Sequence, residues 1–270
     1  MIKNIVFAGG GFKGWGYIGT LKALKEYIPI ESIEQVVGVS IGSLFALLYV
    51  LQMDSDFLLD YVMNLNFKEL IDIDIDSILI NQSLLSGEKF NEILKELLSF
   101  KIDPDITFND LKRYSKILFT VNAINVTDSK LEYFNSILTP NVKIFDAVRA
   151  SCSLPFLFPS YCINDKYYFD GGICNNCPVD ILDELNTMAF DVSHDTSGTS
   201  FKLYDFLNSM INITNGLYVK NQDNIYKILD SRFKNEFMNL NQSKDDIFNI
   251  YMNGYKNSKN IIFKNCIALN

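Results

Sequence analysis

Twice within its first 52 residues the chain runs from a short apolar segment through a glycine-flanked turn straight into a helix-forming run. Ile2–Ala8 leads into Gly9-Gly10-Gly11-Phe12-Lys13-Gly14, and apolar residues then recur at helical spacing (Trp15, Ile18, Leu21, Leu24) until Pro29 closes the run. Val36–Val39 leads into Gly38-Val39-Ser40-Ile41-Gly42, and Ile41–Gln52 continues apolar on all sides. A strand, tight turn and helix repeated in this way build a parallel sheet with both faces covered. The fold class expected is therefore α/β.

The rest of the chain is compatible with that core. At 270 residues, with 48% hydrophobic residues, 14 Gly and 6 Pro, it has material for one large domain or one domain with an appendage. Collagen-like, low-complexity and wholly disordered chains are excluded. Amphipathic helices are expected at Phe57–Leu70 and at Leu85–Phe100, the latter capped by Ser86. Strands are expected at Ile117–Asn122, at its hairpin neighbour Lys130–Phe134, at Tyr167–Phe169 and at Thr187–Val192, with a helix starting at Ile144–Ala150. The alternation Ile71–Asp76 reads as an extended segment with its acids facing water. As a calcium loop it fails, because Ser77 and Ser83 stand where Gly and Glu are needed. The polar loop His194–Ser200 divides a body, residues 1–195, from a helical C-terminal extension, residues 196–270.

The net charge is −8, which speaks against nucleic acid as a partner. From Phe201 onward nine Lys/Arg face six Asp/Glu, so the acidic body ends in a mildly basic segment that could turn toward an anionic surface. The N-terminal apolar stretch is too short for a signal peptide, and the run Val36–Leu51 is too short and too rich in Gly and Ser to span a bilayer. The expectation is a soluble cytoplasmic protein with free thiols, since five Cys at irregular spacing make no disulfide framework. Cys174 and Cys177 form a lone CxxC without partner ligands, so no metal site is expected there.

Three motifs carry chemistry. The glycine run Gly9–Gly14 fits two uses: a dinucleotide fingerprint, or a cradle of bare backbone N–H groups for developing negative charge. The second motif separates them. A dinucleotide unit wants an acid at the end of its second strand, whereas this strand ends in GVSIG, a nucleophile elbow in its strand–turn–helix context. Ser40 then reads as a nucleophile. The third motif, Asp170-Gly171-Gly172, follows the aromatic strand Tyr167–Phe169 and offers a carboxylate held on rigid scaffold as the base for Ser40. The competing base is His194, the only histidine; the order Ser40, Asp170, His194 fits an α/β-hydrolase triad, but His194 lies in a polar segment that reads as a surface loop.

Taken together, GGGFKG, GVSIG and DGG resemble the glycine-rich, elbow and aspartate motifs of the patatin-like phospholipases, with Lys13 where Arg is more usual. SGEKF (Ser86–Phe90), DAVRAS (Asp146–Ser151), the Pro155…Phe158-Pro159 stretch and NNCPV (Asn175–Val179) extend the likeness in order over residues 2–192, and nothing after Ser200 adds to it. The resemblance implies a three-layer α/β/α fold with a mainly parallel sheet. It also implies a Ser40–Asp170 dyad without histidine and an oxyanion hole at Gly9, Gly10, Gly11, Lys13 and Gly14, with Lys13 at its mouth. Gly38, Val39, Ile41 and Gly42 frame the elbow, and Gly171 and Gly172 follow the aspartate. The activity implied is hydrolysis of fatty-acyl esters of phospholipids or lysophospholipids at a membrane surface, through an acyl-enzyme and without cofactor or metal. An acyltransferase using the same acyl-enzyme and a catalytically silent lipid-binding protein are the alternatives. An aspartate at its ordinary value near 3.9 is a weak base, so positioning and the oxyanion donors are expected to supply most of the acceleration.

Overall fold

The computed structural model describes residues 1–66, 72, 73, 78, 80, 83–193, 223–230, 233 and 242–268. In chain order the elements are β1 (Asn4–Phe7), α1 (Gly16–Tyr27), β2 (Gln35–Gly38), α2 (Ile41–Val50), α3 (Ser55–Asn64), α4 (Glu88–Ser99), α5 (Phe108–Leu111), β3 (Leu118–Asn125), β4 (Lys130–Phe134), α6 (Ile144–Ser151), β5 (Tyr161–Ile163), β6 (Lys166–Asp170), β7 (Thr187–Asp191), β8 (Ile225–Lys227) and α7 (Lys244–Ala268). The sheet runs in the order β5-β6-β3-β2-β1-β7-β8, with β4 also paired to β3. Every pair from β3 through β2, β1 and β7 to β8 is parallel, and β4, β5 and β6 join antiparallel. The expected α/β fold with a mainly parallel sheet is the one observed.

The central strand β1 has no polar alternation because both its faces are buried. Ile5 and Phe7 point into the main core beneath α1 and α2, while Val6 and Ala8 join Val37, Ala189, Cys177 and Val179 on the other face. Register brings the two halves of the site to one level: Phe7 pairs with Gly38, Gly38 with Val121, and Ala123 two residues on with Asp170.

Several local expectations shift. The helix expected over Phe57–Leu70 is α3, started two residues earlier by the Asp54 carboxylate, which accepts the Asp56 and Phe57 N–H groups. At α4 the cap position is Gly87, in the left-handed region at φ 83°. Ser86 Oγ accepts the Glu88 N–H and Asp72 the Lys89 N–H, so a carboxylate from a distant segment completes the cap. Asp72 thus faces protein while Ile73 is 64% exposed, the reverse of the expected alternation at these two positions, because a helix N-terminus competes with water for the carboxylate. Residues 74–77 lie outside the described ones. Two short strands escape sequence reading: β5, and β8, which adds a strand where only helix was expected.

The end of the chain is packed tightly on its beginning. Thr20 Oγ1 and Ser258 Oγ are 2.9 Å apart, and α7 meets α1 so closely that a methyl on Gly254 would overlap the Gly16 carbonyl oxygen, and one on Gly19 the Tyr251 carbonyl oxygen. Replacing Gly by Ala inside a helix ordinarily gains about 1 kcal/mol. Here the overlap with backbone reverses the sign. Gly254→Ala is expected to destabilise the protein by about 1–3 kcal/mol, read as a lowered melting temperature in circular dichroism.

Candidate active site

Ser40 occupies the turn between β2 and α2 at φ 52° and ψ −133°, a region that a residue with a Cβ rarely adopts. Its neighbours impose this. Methyl groups on Gly38 and Gly42 would overlap backbone: the Ser43 Cα and Gly42 carbonyl in one case, the Phe7 and Ala8 carbonyls in the other. The turn is then pinned by hydrogen bonds. Val39 N–H donates to the Phe7 carbonyl at 3.1 Å, Ser40 N–H to Ser151 Oγ at 2.8 Å, and Ser43 Oγ to the Ser40 carbonyl at 2.6 Å. Val39 is buried and Ile41 turns toward the adjoining cleft.

The glycine run lies beside this turn. Gly9 packs on Ser40, a methyl there falling 3.1 Å from Ser40 Cβ; Gly14 packs on Ile41 and Phe45. Gly11 takes φ 57° and opens a 3₁₀ turn, Gly11–Trp15. Neither the Gly10 nor the Gly11 N–H donates to an acceptor among the described residues. Lys13 differs from expectation: it is not at a mouth but is buried, 1% exposed, because the 3₁₀ turn carries it inward. Burial lowers its ammonium to about 8, and the Asp191 carboxylate works against that fall.

Asp170 ends β6 and is buried. Its N–H donates to the Ser153 carbonyl at 3.0 Å, and its Oδ1 accepts the Gly172 N–H at 2.7 Å. The Ser40 side chain approaches the same carboxyl. Burial pushes the acid up to about 7, with the Ser40 hydroxyl and the Gly172 N–H pulling the other way. The weak base expected from the ordinary aspartate value is therefore replaced by one matched to neutral pH. Gly171 packs on Asn122, and Gly172 sits between Asp170 and Asn176. His194 lies outside the described residues. Cys174 and Cys177 are free thiols, as are Cys152 and Cys162.

Ser40 opens onto a cleft whose walls are apolar: Phe12, Trp15, Ile41 and Leu44 on one side, Phe90, Ile93 and Leu97 of α4 on another, closed by Leu154 and Leu157. Three supporting residues were not singled out from sequence. Ser151 receives the Ser40 N–H. Arg149, 2% exposed, is boxed by the rings of Phe90, Phe158 and Tyr161 at 5.6, 4.8 and 5.5 Å and donates to Asn91 and Ser153, the residue that receives the Asp170 N–H. Asn176 bonds Gly9. The DAVRAS and NNCPV segments carried these residues without revealing their partners. Among the described residues no helix is long and apolar enough to cross a membrane.

The sequence pattern of the patatin family, described as patatin-like phospholipase, matches residues 5–183. A probable lipid hydrolase of Invertebrate iridescent virus 6 is 30% identical over 186 residues, 66% of this chain and 62% of that protein. The lysophospholipase nte1 of Aspergillus fumigatus is 30% identical over 187 residues, 67% of this chain and 11% of that one. The chain thus spans less than two thirds of the length of either relative. Among solved structures, VipD from Legionella pneumophila superposes with a TM-score of 0.70 at 17% identity, covering 98% of this chain and 67% of that one. The type III effector ExoU does so with a TM-score of 0.53 at 16% identity, covering 98% and 53%. At such identities these structures speak to the fold alone.

A carboxyl raised to about 7 on folding favours the protonated native state, so its stabilising contribution is complete below the unfolded value near 4 and disappears as pH rises through about 7. Denaturant unfolding of the wild type and Asp170→Asn at pH 5 and pH 8 is expected to show the wild type losing stability relative to the variant as pH rises, by up to about 1.4 kcal/mol per unit within that window.

Proposed function

The chain belongs to the patatin-like phospholipase family, and from that premise we propose that it is a lipid acyl hydrolase with Ser40 as nucleophile and Asp170 as general base. The observation that supports this most strongly is the convergence of the Ser40 side chain on the buried Asp170 carboxyl, close enough for the hydroxyl to pull the acid down, at the end of an apolar cleft. Asp170 takes the Ser40 proton as Oγ attacks the ester carbonyl. The carbonyl oxygen gains negative charge and accepts the N–H groups of Gly10 and Gly11, which cost little reorganisation because they have no acceptor among the described residues. Collapse of this intermediate breaks the ester C–O bond, and Asp170 returns its proton to the departing alkoxide. Water then attacks the acyl-enzyme, again losing its proton to Asp170, and the fatty acid leaves as Ser40 recovers its own.

The cleft supports a fatty-acyl chain as the group transferred, because its lining offers contacts for methylenes and little for polar groups. The substrate proposed is an acyl ester of a phospholipid or lysophospholipid, in keeping with the family description and with the lysophospholipase name of the fungal relative. In this reading residues 1–195 carry the chemistry and residues 196–270 extend them.

Ser40→Ala and Asp170→Asn are each expected to lower fatty-acid release from phosphatidylcholine or lysophosphatidylcholine by about 10³-fold or more while leaving the melting transition intact. His194→Ala is expected to keep nearly full activity; its loss would favour the histidine triad. Because the base acts ionised, hydrolysis is expected to rise with pH through about 7 in an initial-rate profile, and a flat profile from pH 5 to 8 would count against Asp170.

A further inference from the structure

One buried side chain joins the two halves of this site without reaching the reacting atoms. The Gly9 N–H donates to Asn176 Oδ1 at 3.1 Å, and Asn176 Nδ2 donates to the Gly9 carbonyl at 3.3 Å. The Gly9 N–H also reaches the Asn176 carbonyl at 3.4 Å. A side-chain amide carries a donor and an acceptor together, so it can hold both polar atoms of one residue and fix the orientation of the peptides on either side. The space a Gly9 methyl would fill is taken by Asn176 Oδ1 and by Ser40, whose Cβ lies 3.1 Å from that point. The amide and the serine therefore crowd the same face of the first glycine of the loop.

Asn176 reaches the other half as well. A methyl on Gly172 would lie 2.7 Å from Asn176 Oδ1 and 3.0 Å from Asp170 Oδ1, so those two oxygens are within about 6 Å of each other. Asn176 follows Asn175, whose N–H donates to the Gly171 carbonyl and whose own carbonyl accepts Asn122 Nδ2. The turn bearing Asp170 and the loop bearing Gly10 and Gly11 are thus referred to one another through a single side chain.

Resting on the reading of Ser40 and Asp170 given above, we propose that Asn176 is a positioning residue for the hydrolysis: it sets the Gly9 peptide, and through it the direction in which the Gly10 and Gly11 N–H groups meet the substrate carbonyl oxygen. Its neutrality is part of the role. The groups that bear on Asp170 are the Ser40 hydroxyl from the β2–α2 turn, the Gly172 N–H from its own loop, and the Cys152 thiol beyond α6, which burial keeps protonated with a pKa of about 12. Arg149 also acts on that thiol and is bonded to Asn91 and Ser153. A second carboxylate at position 176 would face Asp170 across the same small space and hold one proton between the pair to higher pH.

The test uses the full chain with Asn176→Ala, Asn176→Ser and Asn176→Asp, and Ser40→Ala as blank. It measures kcat and KM on lysophosphatidylcholine, the rate of phosphonylation by a fluorophosphonate, and the pH profile. Asn176→Ala is expected to lose about 100-fold in kcat with KM little changed, and phosphonylation should slow in parallel because its tetrahedral adduct needs the same N–H groups. Asn176→Ser, which keeps an acceptor, should recover part of the loss. Asn176→Asp matches Asn in shape and still accepts the Gly9 N–H, so it decides the matter even if the smaller side chains do not fold; its activity midpoint should move up by about one pH unit or more. Wild-type kcat in a cooperatively melting Asn176→Ala, a loss confined to KM, or an unmoved midpoint in Asn176→Asp would each overturn the assignment. Undiminished hydrolysis by Ser40→Ala would instead overturn the reading of the site itself.

Discussion

Taking one carboxyl out of water governs the rest of this site. Asp170 is buried at the end of β6, where a charged group is costly, and is compensated by the Gly172 N–H and the nearby Ser40 hydroxyl. The fold thereby holds a group that binds a proton near neutrality, which is what an acceptor for a serine proton requires. The same burial makes the site a liability for stability, so it survives only because the surrounding sheet is rigid. Its strand pairs with β3 at Ala123, which in turn is fixed through β2 to β1 in the centre of the sheet.

The serine is held by a different device. No single interaction keeps Ser40 in its unfavourable backbone region; the absence of side chains at Gly38 and Gly42 lets three backbone segments approach more closely than any Cβ allows. The Ser40 N–H donating to Ser151 and the Ser43 hydroxyl donating to the Ser40 carbonyl then secure the turn. Strain of this kind costs of the order of 1–3 kcal/mol. The well-packed apolar helix α2 that follows supplies the contacts that offset it.

Which parts of this were readable in the sequence follows from how local each is. The first two strand–turn–helix units are each specified within one continuous stretch, residues 2–29 and 36–52, by apolar runs and by glycines, and both stand where expected. The proposed pairing of Ser40 with Asp170 rests on motif order and family likeness, since nothing near Asp170 in sequence points to Ser40. The burial of Lys13 is not legible because the carboxylate that supports its charge, Asp191, lies far along the chain. The roles of Ser151 and Asn176 are not legible in the sequence, because their partners are backbone groups 111 and 167 residues away. Strand β8 is three residues long in a polar stretch, and its pairing with β7, not its composition, makes it a strand.

That last strand bears on the glycine loop through charge. Asp191, at the end of β7, is buried, which raises its acid; the Lys227 ammonium of β8, 2.6 Å away, and the Ser193 N–H more than offset this and hold it ionised. The ionised carboxylate is what opposes the loss of charge at buried Lys13, inside the turn that begins at Gly11. Lys227 also repels Lys13, so the same lysine that holds Asp191 ionised works against the charge on Lys13. Meanwhile α7 presses α1, the helix into which the glycine loop runs, through the contact of Gly254 with Gly16. The C-terminal part of the chain therefore reaches the loop from two directions, by electrostatics at its buried lysine and by backbone contact at the start of its helix. A body ending before β8 would keep Ser40, Asp170 and every glycine of the three motifs, and would still lack both supports of the loop between them.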